Sequence, residues 1–280
     1  MFSIILHKEV LILRIIVLIK EVPDMEKVRF DSEKGVVDRK SAGTEVNPFD
    51  LNALEAAVQM KEIADASVTA LCMGPPQAEK SLKEAIARGA DEGILLSDAA
   101  FGGSDTWATS ITLVAAIKKM GDYDYIFAGE KTVDGDTGQV GSEVASMLKI
   151  PQICFVESLE MNKEGLTAMV AVWDGIYRKT LTGKGMLTFT KAANTPRLPG
   201  IREKMKARKM EIPVWDLRFL SEYLNETDTG FKGSPTKVKK VVVPPVLHRK
   251  GKIFREINDA CLREVKGALI ARGITEGVKK

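Results

Sequence analysis

Between residues 14 and 148 the sequence alternates four times between a short apolar run and a helical segment. The runs are "RIIVLIK", "SVTALCMG", "EGILLS" and "YDYIFAGE". The helical segments are "NPFDLNALEAAVQMKEIA", "PQAEKSLKEAIARG", "TWATSITLVAAIKKMG" and the one opened by "DGDTGQVGSEVASMLKIP". Runs that are apolar at nearly every position suit strands covered on both faces, and helices between them carry the chain back for the next parallel strand. The expected class is therefore α/β, a mostly parallel twisted sheet with helices on both faces. Its first strand is read as Arg14 to Lys20, followed by a hairpin-like excursion through "VRFDSEKGVVDR". From about residue 151 the pattern becomes β-rich, with Gly165 and Gly175 as turn candidates, and is read as an extension of the same sheet.

A chain of 280 residues suits one large domain, or one domain with an appendage. The expected division is an N-terminal extension at 1–13, an α/β domain at 14–220 and a C-terminal arm at 221–280. The extension is either an upstream start or an extra strand. Its apolar stretch is broken by His7, Lys8, Glu9 and Arg14 into pieces too short to cross a bilayer, so no membrane insertion is expected. Residues 225–252 lack periodicity and read as a linker, and Ile253, Ile257, Cys261, Val265 and Leu269 mark a closing amphipathic helix.

Several function classes are disfavoured. A net charge of +3, from 41 basic and 38 acidic residues, gathers no nucleic acid over the whole surface. Cys72, Cys154 and Cys261 form no C-x-x-C, which argues against a disulfide framework or zinc site and for a reducing cytoplasm. The two histidines, His7 and His248, lie in the extension and the linker, so a serine or cysteine triad has no plausible base and no catalytic side chain is assigned. Redox work would need a bound cofactor.

The stretch from Asp134 follows a strand, at the carboxyl end where open α/β sheets bind ligands. Gly138 and Gly141 remove side chains where a backbone can approach a phosphate, and first-turn helix amides point at an anion. Thr137, Gly138, Gln139 and Val140 are the expected phosphate contacts. Asp134 and Asp136 would repel a phosphate, so they should turn away from it, cap the helix or take ribose hydroxyls. A plain acidic N-cap explains the same residues. Two other turns, "NPFD" at Asn47, Pro48, Phe49 and Asp50, with Asn47 as helix cap, and "CMGPP" at Met73 and Gly74, either converge on the same ligand or are simple turns. The basic run Arg202, Lys204, Lys206, Arg208 and Lys209 is either a docking surface or a solvated helix face.

Taken in order, "RIIVLIKEVPD", "NPFDLNALEAAVQMKE", "CMGPP", "ARGADEGILL", "DGDTGQVGSEVASMLKIP" and "NTPRLPGIREKMKARK" resemble the electron transfer flavoprotein β (small) subunit, including FixA-type proteins, over about residues 14 to 270. The resemblance implies an adenine-nucleotide alpha-hydrolase (HUP-like) domain, paired with an electron transfer flavoprotein α subunit that holds FAD. It implies a nucleotide pocket lined by Leu18, Asn47 to Asp50, Met73, Gly74 and Asp134 through Val140, holding AMP or, in bifurcating members, a second FAD. The "KEVPD" opening is closer to the bifurcating and FixA-like branches, which favours FAD. The segment from Asn194 to Lys209 resembles the family's recognition loop, implying that Pro196, Arg197, Ile201 and Met205 dock an acyl-CoA dehydrogenase or another flavin dehydrogenase. The C-terminal arm would embrace the α subunit. Ser142 departs from the proline of many relatives, and residues 1–13 have no counterpart.

The rival reading is a stand-alone nucleotide sensor or an ATP-pyrophosphatase-like enzyme on a related fold. Such an enzyme needs an S-G-G-x-D-S type loop after its first strand, where "IKEVPDMEK" has no glycine.

Overall fold

The structure is a computed structural model that describes residues 12–24, 29–31, 36–38, 43–162, 165–237 and 251–274. The N-terminal extension up to residue 11, with His7, and the linker at 238–250, with His248, lie outside the described residues.

The first apolar run forms β1 (Leu13–Ile19), one residue earlier than its composition suggests. The excursion after it forms β2 (Glu21–Pro23), β3 (Arg29–Asp31), β4 (Val36–Asp38) and β5 (Thr44–Val46), with β3 antiparallel to β4 and β2 antiparallel to β5. Then come α1 (Pro48–Ile63), β6 (Ala66–Met73), α2 (Glu79–Ala87), β7 (Glu92–Leu96), α3 (Thr106–Met120), β8 (Tyr125–Gly129) and α4 (Val140–Leu148). The β-rich region gives β9 (Gln152–Asn162), β10 (Gly165–Val172), β11 (Gly175–Leu181) and β12 (Gly185–Phe189). Helix α5 (Ile201–Lys209) and the short β13 (Val214–Trp215) follow.

Nine strands make one sheet in the order β11-β10-β9-β12-β8-β1-β6-β7-β13. All neighbours from β9 to β13 pair in parallel, and β10 runs antiparallel to both β9 and β11. The expected α/β class and the expected extension of the sheet are both present. Alternation along β1 divides the core. Ile15, Val17 and Ile19 face the layer of α1 and α2, whereas Ile16 and Leu18 face the layer of α3 and α4. All five are under a tenth exposed, and burying each contributes roughly 1.5–3 kcal/mol. Gly141 lets α4 settle on β12, since a Cβ there would lie 2.7 Å from Thr188 Cγ2.

The chain divides into two compact units, Met1–Lys239 and Lys240–Lys280. Residues 221–237 thus lie with the first unit, and the stretch read as a featureless linker contains a 3₁₀ turn (Glu226–Asp228) and α6 (Gly230–Gly233). In the second unit α7 runs Asp259–Ile270, its first turn held by Asn258 Oδ1, which accepts from Cys261 N–H at 3.0 Å. Asparagine is a strong cap, so the helix starts there and leaves Ile253 and Ile257 ahead of it.

Candidate functional site

The chain moves outward from β1 through β6 to β7, then returns to the other side of β1 as β8. A crevice opens where the order reverses, outside the carboxyl ends of the strands. It is a cleft of about 1060 Å³, floored by Leu18 and Met73 at the ends of β1 and β6 and by Ala128 and Gly129 of β8. Leu18, Asp50, Met73, Gly74, Thr137, Gly138, Gln139 and Val140, all expected from sequence, line it. Asn47, Pro48, Phe49, Asp134 and Asp136, also expected, are not among the lining residues; all but Pro48 shape the cleft through contacts with Lys20, Gly129 or Lys131, which are.

Helix α1 supplies much of that shaping. Asn47 does not cap it with its side chain. Its Nδ2 donates to Lys131 O at 2.9 Å and its Oδ1 accepts from Val133 N–H at 3.2 Å, gripping the loop after β8. Pro48 opens the helix, and Phe49 packs beneath Gly129, with the Lys131 and Lys191 ammonium groups 5.8 and 4.9 Å from its ring centre. Asp50 accepts from Lys20 N–H at 2.8 Å and Gly129 N–H at 3.1 Å, joining the ends of β1 and β8 at the cleft floor. Burial pushes its carboxyl up to about 7, against the opposing pull of Asn47 and those two amides.

The turn before α4 is wound tightly. Asp136 (φ 53°) and Gly138 (φ 64°) are left-handed, and Asp136 N–H donates to Thr132 O at 2.9 Å. A Cβ on Gly138 would sit 3.3 Å from Glu130 O, so glycine serves both the dihedral and the close approach. Neither aspartate caps the helix. Asp134 pairs with Lys20 Nζ at 2.7 Å and Asp136 with Lys131 Nζ at 2.8 Å. Burial opposes ionisation of Asp134, but hydrogen bonds from Lys20 and Thr132 outweigh it and hold the carboxyl below its ordinary range. No side chain caps α4 at Gln139, so its first-turn amides carry no capping bond where Val140 and Gly141 line the cleft. The aspartates' charge is thus met by lysines, and the helix start has no side-chain cap.

Sequence reasoning missed the opposite wall, Ser97 to Thr106 with Thr236, and the lysines Lys20 and Lys131. Asp98 and Asp105 were the available signals, because each begins a helical turn: Asp98 accepts from Ala100 N–H and Asp105 from Ala108 N–H. Among the described residues no group of three His, Cys, Asp or Glu side chains could hold a metal ion, and no helix is long and apolar enough to cross a membrane.

Away from the cleft, the segment 194–209 is tied to α1. Asn52 Nδ2 donates to Asn194 O at 2.8 Å, and Asn194 Nδ2 returns a bond to Asn52 O at 2.9 Å. Glu55 accepts from Arg197 N–H at 3.0 Å and Nε at 2.8 Å, and Glu62 takes Nη1 at 2.5 Å. Burial works against the Glu55 carboxylate, yet the Arg197 bonds keep it below its usual range. Arg197, expected to dock a partner, is therefore an anchor whose guanidinium is closed on two carboxylates. Pro196 is half-buried, while Leu198, Ile201 and Met205 are 85%, 81% and 57% exposed beside the basic face of α5.

Fold and cleft together define the class: a doubly wound α/β domain with a crevice at the topological switch point. The model of the electron transfer flavoprotein domain matches residues 34–220. Among its relatives, "Electron transfer flavoprotein subunit beta" of Clostridium acetobutylicum is 43% identical over 228 residues, covering 81% of this chain and 87% of the relative. "Caffeyl-CoA reductase-Etf complex subunit CarD" of Acetobacterium woodii is 38% identical over 261 residues, 93% and 97% of the two chains. "Protein FixA" of Sinorhizobium fredii is 36% identical over 245 residues, 85% and 86%. The chain belongs to the electron transfer flavoprotein family, as a β-subunit or FixA-like member, and its function is electron transfer. That membership gives no support to a pyrophosphatase-like enzyme.

Proposed function

We propose that this subunit binds an adenine nucleotide in the switch-point cleft, FAD in preference to AMP, and works in the cytoplasm as half of a complex with an α subunit that holds FAD. The observation that carries this reading is the uncapped start of α4 beside side-chain-free Gly138 and Gly141, opening into a cleft of about 1060 Å³. Small-molecule sites typically span roughly 300–1,000 Å³. A cleft at the top of that range supports a dinucleotide, and similarity to a subunit of an Etf complex supports a role as one half of such a complex.

FAD held here would supply two-electron and one-electron chemistry, allowing bifurcation of electrons from NADH in the complex. The chain's own residues bind and orient. Amides from Gly138 to Gly141 would take the phosphates, Lys20 and Lys131 neutralise the aspartates of the turn, and Leu18 and Met73 provide apolar floor. Leu198, Ile201 and Met205 would dock an acyl-CoA dehydrogenase or another flavin dehydrogenase, with the basic residues of α5 meeting an acidic rim. The exposed apolar positions of α7, including Leu262, Val265 and Leu269, support a role for the C-terminal arm in holding the α subunit.

Acid release of the ligand from the purified complex, followed by chromatography, should give FAD from this subunit in addition to that of its partner. Gly138→Leu, which adds bulk at a left-handed residue beside Glu130 O, should empty the site of that nucleotide. Unchanged content in a folded Gly138→Leu complex would refute the assignment.

A further inference from the structure

Residues 229–236, "TGFKGSPT", carry no periodic signal, yet they are fastened along the far wall of the cleft. Thr229, 1% exposed, shares a 2.8 Å hydroxyl contact with fully buried Thr112 of α3. Gly230 is left-handed (φ 61°), and a Cβ there would overlap the Ala100 carbonyl oxygen. Its N–H donates to Ser104 Oγ at 3.1 Å, and Phe231 N–H donates to Gly102 O at 3.0 Å. Ser234 Oγ accepts from Asp105 N–H at 2.9 Å and donates to Gly230 O at 2.7 Å. Asp105 completes the fastening. Its Oδ1 accepts from Ala108 N–H at 3.1 Å, while its Oδ2 accepts from Thr236 N–H at 2.9 Å and Thr236 Oγ1 at 2.7 Å.

Two features make this more than loop packing. Asp105 and Thr236 both line the cleft, so the cleft has its observed wall only while the segment is attached. The wall also contains Gly102 and Gly103, the latter left-handed (φ 74°), and glycines carry little conformational preference of their own. The shape of the wall is imposed by what is bonded to it. Burial disfavours the Asp105 carboxylate, but its bonds from Thr236 and Ala108 prevail and hold it below the usual range, so it stays an acceptor through the neutral range.

We propose that residues 229–236 are a strap that completes the nucleotide cleft, with Asp105 as the positioning residue that locks it, so that cleft occupancy and strap attachment are one linked equilibrium. The inference rests on the adenine-nucleotide reading of the cleft. A ligand that contacts the wall binds the strapped form more tightly, and by reciprocity it holds the strap in place.

The test uses the full chain in the complex in which it is purified, stripped of bound ligand, with AMP and FAD as separate probes. Thr236→Val keeps the side chain's shape and removes its donor. Asp105→Asn keeps the helix cap and removes the charge, and Thr236→Ser restores the hydroxyl. Thr236→Val and Asp105→Asn should each weaken binding by about tenfold or more, as expected for loss of a hydrogen bond to a charged group, and Thr236→Ser should bind like the unaltered chain. Hydrogen exchange of the unaltered chain should slow across 229–236 when the probe binds, which keeps the test readable if Asp105→Asn does not fold. Exchange in 229–236 that ignores the bound probe, with Thr236→Val at unaltered affinity, overturns the strap and leaves the nucleotide reading standing. Failure of the unaltered chain to bind either probe overturns both.

Discussion

Replacing Asp50 by Asn should reverse its effect on stability between mildly acidic and mildly alkaline solution. The carboxyl is 5% exposed and titrates at about 7 rather than 3.8, because burial favours its neutral form. A carboxyl whose folded-state value is raised contributes stability that is fully present below its unfolded value and is lost as pH rises through the folded one. Each tenfold in proton affinity is about 1.4 kcal/mol, so from below pH 4 to above pH 7 the chain should lose about 4 kcal/mol at this residue. Asparagine does not titrate. It has a single acceptor oxygen for the amides of Lys20 and Gly129, so one of them goes unpaired at a cost of about 1–3 kcal/mol at every pH. Asp50→Asn should therefore be less stable than the unaltered chain at pH 4, where the carboxyl has given up only about 0.5 kcal/mol, and more stable at pH 8.5, where the loss of about 4 kcal/mol exceeds the cost of the unpaired amide. Denaturant unfolding of both proteins at a series of pH values reads this directly. Parallel stability profiles would refute the reasoning, since they would mean that the Asp50 carboxyl is not neutral in the folded chain near pH 6.

Glu55→Gln removes the charge that holds Arg197 and should cost about 1–2 kcal/mol in denaturant unfolding, whereas Glu62→Gln, at a carboxylate half exposed to solvent, should cost less than about 0.5 kcal/mol. Ile201→Asp should impair electron transfer from an acyl-CoA dehydrogenase while the flavin spectrum stays intact; normal turnover would count against docking at α5. Gly141→Ala pushes a methyl group toward Thr188 and should cost about 1–3 kcal/mol by overpacking α4 against β12, seen as a lowered Tm; an unchanged Tm would show that the helix shifts freely.

Order and type of the main elements were legible because strand and helix periods differ and each run is long enough to show its own. The carboxyl ends of the first, second and fourth runs lie at one cleft because parallel pairing places those ends on one edge; the sequence left open whether the turns after them converge or are simple turns, and Leu18 came only from the resemblance. Asn47 was read as a cap. An amide before Pro48 has the right chemistry for capping, and the partner it meets instead, the loop at 131–133, is distant in sequence. The wall at 97–106 and the segment 229–236 gave no signal for a similar reason. Their shape comes from side-chain bonds to backbone more than 100 residues away, as with Asp105 and Thr236, and neither stretch has a repeat of its own. Helix α7 was placed too early because Ile253 and Ile257 continue its apolar spacing, while Asn258 sets the start.

One feature of α1 reaches beyond the present cleft. Asn47, Asp50, Asn52 and Glu55 are all under a tenth exposed, and each reaches main-chain atoms of another segment: Lys131 and Val133, Lys20 and Gly129, Asn194, and Arg197. Main-chain groups are the same whatever side chain is attached. The loops held this way can exchange side chains while one unchanging helix preserves their course, so the walls of the cleft can change in chemistry without the scaffold being refolded.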